Sequence, residues 1–125
     1  MSHFATIQTQ IRDIDALREA CTELGLQVVE NAEARGYGKN RHRGDFVIVL
    51  KGPYDVALNR QPDTSFGLTT DWYDGHVEKE VGKDYGKLLQ LYGVYKATRE
   101  ARQRGYIVQR SALNDGSIRL SMGGL

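Results

Sequence analysis

Residues 45–70 read DFVIVLKGPYDVALNRQPDTSFGLTT. The segment Asp45–Lys51 is apolar on both of its alternating faces, which predicts a strand buried on both sides near the centre of a sheet. Gly52-Pro53 is a turn signal. Tyr54–Asn59 alternates, with Tyr54, Val56 and Leu58 pointing inward. Gln61-Pro62-Asp63 marks another turn, and Ser65–Thr70 reads as the next strand. Three strands joined by short turns make an antiparallel meander.

Upstream, residues 3–12 alternate, with Ala5, Ile7, Thr9 and Ile11 on one face, the pattern of a half-buried strand. Asp13 or Asp15 then offers a side-chain oxygen to start a helix. Ile14, Leu17, Cys21 and Leu24 form its apolar stripe. Gly25 suits the left-handed position after its last turn, with Leu26 folding back. Gln27–Glu30 reads as a short strand. Asn31–Gly44 holds three glycines and a run of cations, and is expected to be a mobile loop, with room for a short strand around Tyr37.

Downstream, Trp72, Tyr73 and Gly75 open an acidic stretch, followed by a long helix with Tyr85, Leu88, Tyr92 and Tyr95 on one face. Asp84 is the expected N-cap and Gly105 the stop. Gly82, Gly86 and Gly93 weaken such a helix by about 1 kcal/mol each, so either tertiary packing holds it or the backbone of a strand or partner comes close at those glycines. Tyr106–Ser111 and Ser117–Met122 flank Asn114-Asp115-Gly116, a hairpin signal, and the last residues, 123–125, are expected to fray.

The order β-α-β-β-β-β-α-β-β predicts an α+β fold. It is a two-layer sandwich, a mostly antiparallel sheet with two helices on one face, in a single domain over residues 1–125. The other face is left to solvent or to a second copy, so a homodimer is an expected arrangement.

The chain has 125 residues, 40% hydrophobic and 26% charged, with net charge +1. A chain this long buries about two-thirds of its unfolded surface and needs no disulfide or metal to fold. Its global charge makes no case for nucleic acid or membrane. The one cysteine, Cys21, falls on the inner face of a helix and reads as core. No apolar run approaches the ~20 residues of a membrane span, and the first ten residues lack the pattern of a signal peptide. A cytoplasmic location is expected, or a stromal one if the source has plastids.

Four groups of residues could carry function. Arg35, Lys39, Arg41, His42 and Arg43 surround Tyr37 and could hold a phosphate or single-stranded nucleic acid; they match no phosphate-loop motif. Trp72, Tyr73 and Tyr54 sit in loops or at strand ends, where amphipathic aromatics serve protein binding. The basic helix end, Lys96, Arg99, Arg102 and Arg104, reads mainly as compensation of the helix dipole, and together with the loop would make one anion-binding face. In the acidic stretch, Asp74/Glu78 and His76/Glu80 are spaced as metal ligands could be. They point apart on a helix, with Lys79 and Lys83 among them, so no metal or other cofactor is expected. His3, His42 and His76 stand beside no nucleophile motif, and no enzymatic activity is expected.

Both ends of the chain carry a resemblance. The opening Met1-Ser2-His3-Phe4 with Thr6-Ile7-Gln8-Thr9 resembles the small proteins of the hypothetical chloroplast reading frame thirty-five family. So does Leu24-Gly25-Leu26 paired with Tyr92-Gly93-Val94-Tyr95-Lys96-Ala97-Thr98, and so does the closing hairpin from Gly105-Tyr106 to Asp115-Gly116-Ser117-Ile118-Arg119-Leu120. The family occurs in cyanobacteria, red-algal plastids and planctomycetes and is a domain of unknown function. The resemblance implies a small cytosolic or stromal accessory protein, with no catalytic residues to carry over, and, because some members accompany one, a AAA-type ATPase complex as partner. The expected function is therefore a non-enzymatic adaptor that binds another protein, with phosphate or nucleic-acid binding through residues 35–43 as the alternative.

Overall fold

A computed structural model describes residues 3–124. The elements are β1 (Ala5–Gln8), α1 (Ile14–Glu23), β2 (Gln27–Arg35), β3 (Arg41–Val49), β4 (Val56–Arg60), β5 (Phe66–Thr70), α2 (Glu78–Val81), α3 (Gly86–Gln103), β6 (Ile107–Ala112) and β7 (Ile118–Gly123). Five strands form one sheet in the order β1-β5-β4-β3-β2, and every neighbouring pair is antiparallel. The α+β class and the predicted order of elements hold.

Apolar alternation builds the main core. Ile48, Leu50, Val56, Leu58, Phe66 and Leu68 point to one face, where α1 places Leu17 and Cys21 and α3 places Leu88 and Tyr92. Burial pushes the Cys21 thiol up to about 12, so it stays protonated as a small apolar side chain. Asp13 caps α1 by accepting from Ala16 N at 3.0 Å. Gly25 takes φ 75° after the last turn, and Leu26 N closes it on Cys21 O at 2.8 Å.

Several expectations are corrected. The first strand stops at Gln8: Thr9 Oγ1 bonds Phe66 O and accepts from Ile11 N, which turns the chain and drops Ile11 into the core. Asp84 does not cap the long helix. It has φ 52°, and α3 starts two residues later, after a Tyr85 held at φ 64°. No backbone approaches Gly86 or Gly93, since a Cβ at either would meet nothing within 4 Å. The closing hairpin β6–β7 forms as expected but stays out of the main sheet as a ribbon of its own. It lies against the helices through Gln90 Nε2–Gly116 O at 3.0 Å and a two-bond contact of Arg110 with Glu23. Gly123, expected to fray, pairs with Ile107; the expectations for Met1, Ser2 and Leu125 lie outside the described residues.

The largest correction concerns Asn31–Gly44. This stretch is the distal half of a β2–β3 hairpin, paired as far as Arg35 with Arg41. Asn31 sits at φ 47° within β2. Opposite it, the β3–β4 ladder ends at Phe46–Leu58, and the Asp45 and Asn59 side chains take over the next hydrogen bonds, with Arg60 N and Asp45 N. Beyond this break the hairpin folds over the sheet face that the helices do not cover, where Ala34 packs on Val47 and Ala57. Gly44 permits the approach, because a Cβ there would stand 3.1 Å from the Ala57 Cβ. The face expected to lie open therefore carries the chain's own hairpin.

Candidate binding site

The folded-back hairpin ends beside the segment that leaves β5. Three attachments fix it there. Arg35 gives Nε and Nη2 to the two carboxylate oxygens of Asp55, each at 2.8 Å, and Nη2 also reaches Gly52 O at 2.9 Å. The backbone joins in: Asp55 N donates to Arg35 O at 3.0 Å, and Arg35 N to Asp55 Oδ2 at 3.0 Å. Gly36 lies on the Phe4 ring, closely enough that a Cβ would come within 2.6 Å of it. Asp71, fully buried, accepts from Tyr37 N and from Tyr73 N, both at 3.0 Å.

Asp71 thus sets the two tyrosines side by side. Their rings meet edge to face at 5.0 Å, yet Tyr37 stays 46% and Tyr73 45% exposed. Tyr54 lies beneath, its ring 5.1 Å from that of His76. Burial raises the Tyr54 hydroxyl pKa, and the negative Asp71 and the hydroxyls of Tyr73 and Tyr37 raise it further, so Tyr54 is a neutral phenol. Asp74 at φ 58° and Gly75 at φ 72° make the tight turn after Tyr73. The ring of Trp72 turns instead toward buried Tyr85, 4.8 Å away. A neighbouring hollow is lined by Trp72, Gly75, Glu78, Lys83 and Asp84.

The structure brings Tyr37, Tyr54 and Tyr73 together and leaves Trp72 at the margin. It divides the basic group. Arg35 is committed to Asp55. Arg41 caps its own turn through Asn40 O at 2.7 Å, and His42 packs on Phe4 at 5.3 Å. Lys39 and Arg43 are exposed and have no ion pair among the described residues.

The basic helix end and this hairpin do not form one face. Arg99 turns to α1, 2.6 Å from Glu19 and 3.7 Å from both Asp13 and Asp15, and Lys96 bonds Glu100. In the acidic stretch, Glu80 accepts from Lys51 N and Gly52 N and so fixes the β3–β4 turn. Among the described residues no three His, Cys, Asp or Glu side chains converge as a metal site would need. No described helix is long and apolar enough to cross a membrane.

Asp55 and Phe4 are site residues that the sequence reading missed. Asp55 stands within an alternating strand, and nothing local marks it. Asp71 was visible as an acid beside two aromatics, but its role needs the hairpin to arrive.

A family model described as "Protein of unknown function (DUF1257)" matches residues 20–121. The chain is 32% identical to "Uncharacterized protein ycf35" of Pyropia yezoensis over 96% of this chain and 94% of that one. It is 24% identical to the protein of the same description in Guillardia theta, over 98% and 96% of the two chains. No solved structure matches. The match over most of the chain and the end-to-end relatives agree, and the chain belongs to the DUF1257 family, the family of the chloroplast reading frame that its two ends resemble.

Proposed function

We propose that the chain is a non-enzymatic adaptor that binds a protein partner through the Tyr37–Tyr73 platform. The observation that carries this reading is the exposure of two tyrosines already locked into one arrangement. Tyrosine presents a large amphipathic contact area with few torsions to freeze. Because Asp71 fixes both backbones, a partner meets a preorganised surface and the ordering cost of binding is small. Lys39, two residues from Tyr37 in the hairpin turn, and Asp74, next to Tyr73, bring charges of both signs to the platform. A rim of mixed sign favours a polar protein surface with an apolar anchor. The plastid stroma or the cytoplasm is the proposed location, and a AAA-type ATPase complex is the first partner to test.

The experiment is capture of the tagged protein from its host, with and without nuclease. A partner that resists nuclease and is lost with Tyr37→Ala/Tyr73→Ala supports the reading; no partner that depends on these tyrosines refutes it. A second reading has one observation in its favour: Lys39, exposed and without an ion pair among the described residues, stands in the same turn as the exposed Tyr37 ring, a pairing of cation and aromatic used by surfaces that grip single strands. It requires binding that falls steeply with salt and is abolished by Arg41→Glu/Arg43→Glu.

A further inference from the structure

The helix side of the molecule carries a second surface, separate from the tyrosine platform. Among the described residues, no strand pairs with either outer edge of the β6–β7 ribbon. A lone two-stranded ribbon is marginally stable and presents unpaired N–H and C=O groups to any extended chain. At its open end Tyr106, Ile107 and Met122 are 44%, 54% and 53% exposed. Between this end and α3 runs a cleft lined by Ala97, Glu100, Ala101, Arg104, Tyr106 and Met122. The two alanines lower the helix surface and leave room for an apolar side chain beside Met122.

Charge selects the occupant. From Gly86 onward the sequence has seven Lys or Arg and two Asp or Glu, against ten and fourteen before it. Arg99 and Arg110 are neutralised by acids of α1 and Lys96 by Glu100. Lys87, Arg102, Arg104 and Arg119 have no ion pair among the described residues. We infer that this cleft takes an extended acidic and apolar segment of a protein partner, laid along the β6–β7 ribbon. Apolar side chains would enter beside Met122 and Tyr106, carboxylates would meet Arg104, and a free ribbon edge would supply main-chain hydrogen bonds, the strand-addition mode of peptide recognition. A second copy placed symmetrically here would set like charges against each other, which opposes binding.

The test uses the whole protein and three fluorescent probes: an alternating glutamate–valine peptide, its lysine–valine counterpart and a single-stranded oligonucleotide. The glutamate–valine peptide is expected to bind and to shift amide resonances of residues 106–123. Binding should weaken about tenfold in Arg104→Glu and in Met122→Asp and be unchanged in Tyr37→Ala/Tyr73→Ala, which separates this site from the platform. Both single variants alter exposed side chains, and unchanged melting confirms their fold. No binding, equal or tighter binding of the lysine–valine peptide or the oligonucleotide, shifts confined to residues elsewhere, or self-association abolished by Met122→Asp would each overturn the inference.

Discussion

Arg35 at the end of β2 holds both carboxylate oxygens of Asp55, just before β4, at 2.8 Å each. The pair joins the hairpin that folds back to the strand it crosses, and Asp55 is only 2% exposed. Its carboxylate also accepts from Leu50 N, and its carbonyl from Thr70 Oγ1. Nearly every acceptor around Asp55 is therefore satisfied by the same small region, as a buried charge requires.

Removing one partner leaves the other uncompensated, which costs about 3–5 kcal/mol in a buried pair. Arg35→Ala strands the buried Asp55 carboxylate and should fall near the upper end, whereas Asp55→Ala leaves a guanidinium that water can partly reach and should cost less. Urea unfolding measures both. Arg35→Lys should not restore the wild-type value, because one ammonium cannot span two carboxylate oxygens and Gly52 O in a fixed fork.

Gly93 inside α3 and Gly82 before it behave oppositely. Gly93→Ala adds a methyl to open space in a helix interior and should stabilise by up to about 1 kcal/mol. Gly82→Ala should destabilise by at least as much, since Gly82 has φ 87° and a Cβ there would lie 2.6 Å from Lys87 N. Thermal melts of the two variants should shift in opposite directions.

The β6–β7 ribbon is tied to the helices by Glu23, which accepts from Arg110 at 2.7 and 2.8 Å and from Tyr95 Oη at 2.7 Å. The Arg110 hydrogen bonds lower the Glu23 carboxyl from 4.5 to about 2 against the opposing effect of burial, with a lesser contribution from the Tyr95 hydroxyl. Because the docked state has the lower value, the tie is at full strength above pH 4.5. It weakens as pH falls toward 2, where the released carboxyl binds the proton first. The partners are part-exposed, so the contribution is about 1 kcal/mol. Hydrogen exchange of the β6 and β7 amides should show added opening across this window in wild type, and Glu23→Gln should open at all pH values.

The meander and both main helices were legible because their residues obey periods of two and 3.6 and their turns use Gly, Pro and Asp-Gly. The break came at Asn31–Gly44. Glycines and cations there read as a loop, whereas the glycines let a paired hairpin lie close over Ala57 and Phe4. Small residues that signal flexibility in isolation signal close packing when a surface waits opposite them. The tyrosine platform followed the same rule. Tyr54 and Tyr73 were recognisable as aromatics at strand ends and Tyr37 as the ring in a basic turn. Only the fold-back, fixed by Asp55 and Asp71, makes them neighbours. Trp72 was misplaced by one residue of alternation, since its ring takes the side facing Tyr85 while that of Tyr73 faces outward.

The most direct measurement is quantitative capture of host proteins on wild type, Tyr37→Ala/Tyr73→Ala and Arg41→Glu/Arg43→Glu, all after nuclease. The platform account predicts a near-stoichiometric protein partner on wild type, retained by the arginine variant and lost from the tyrosine variant at unchanged thermal stability. Equal recovery on wild type and the tyrosine variant would contradict it.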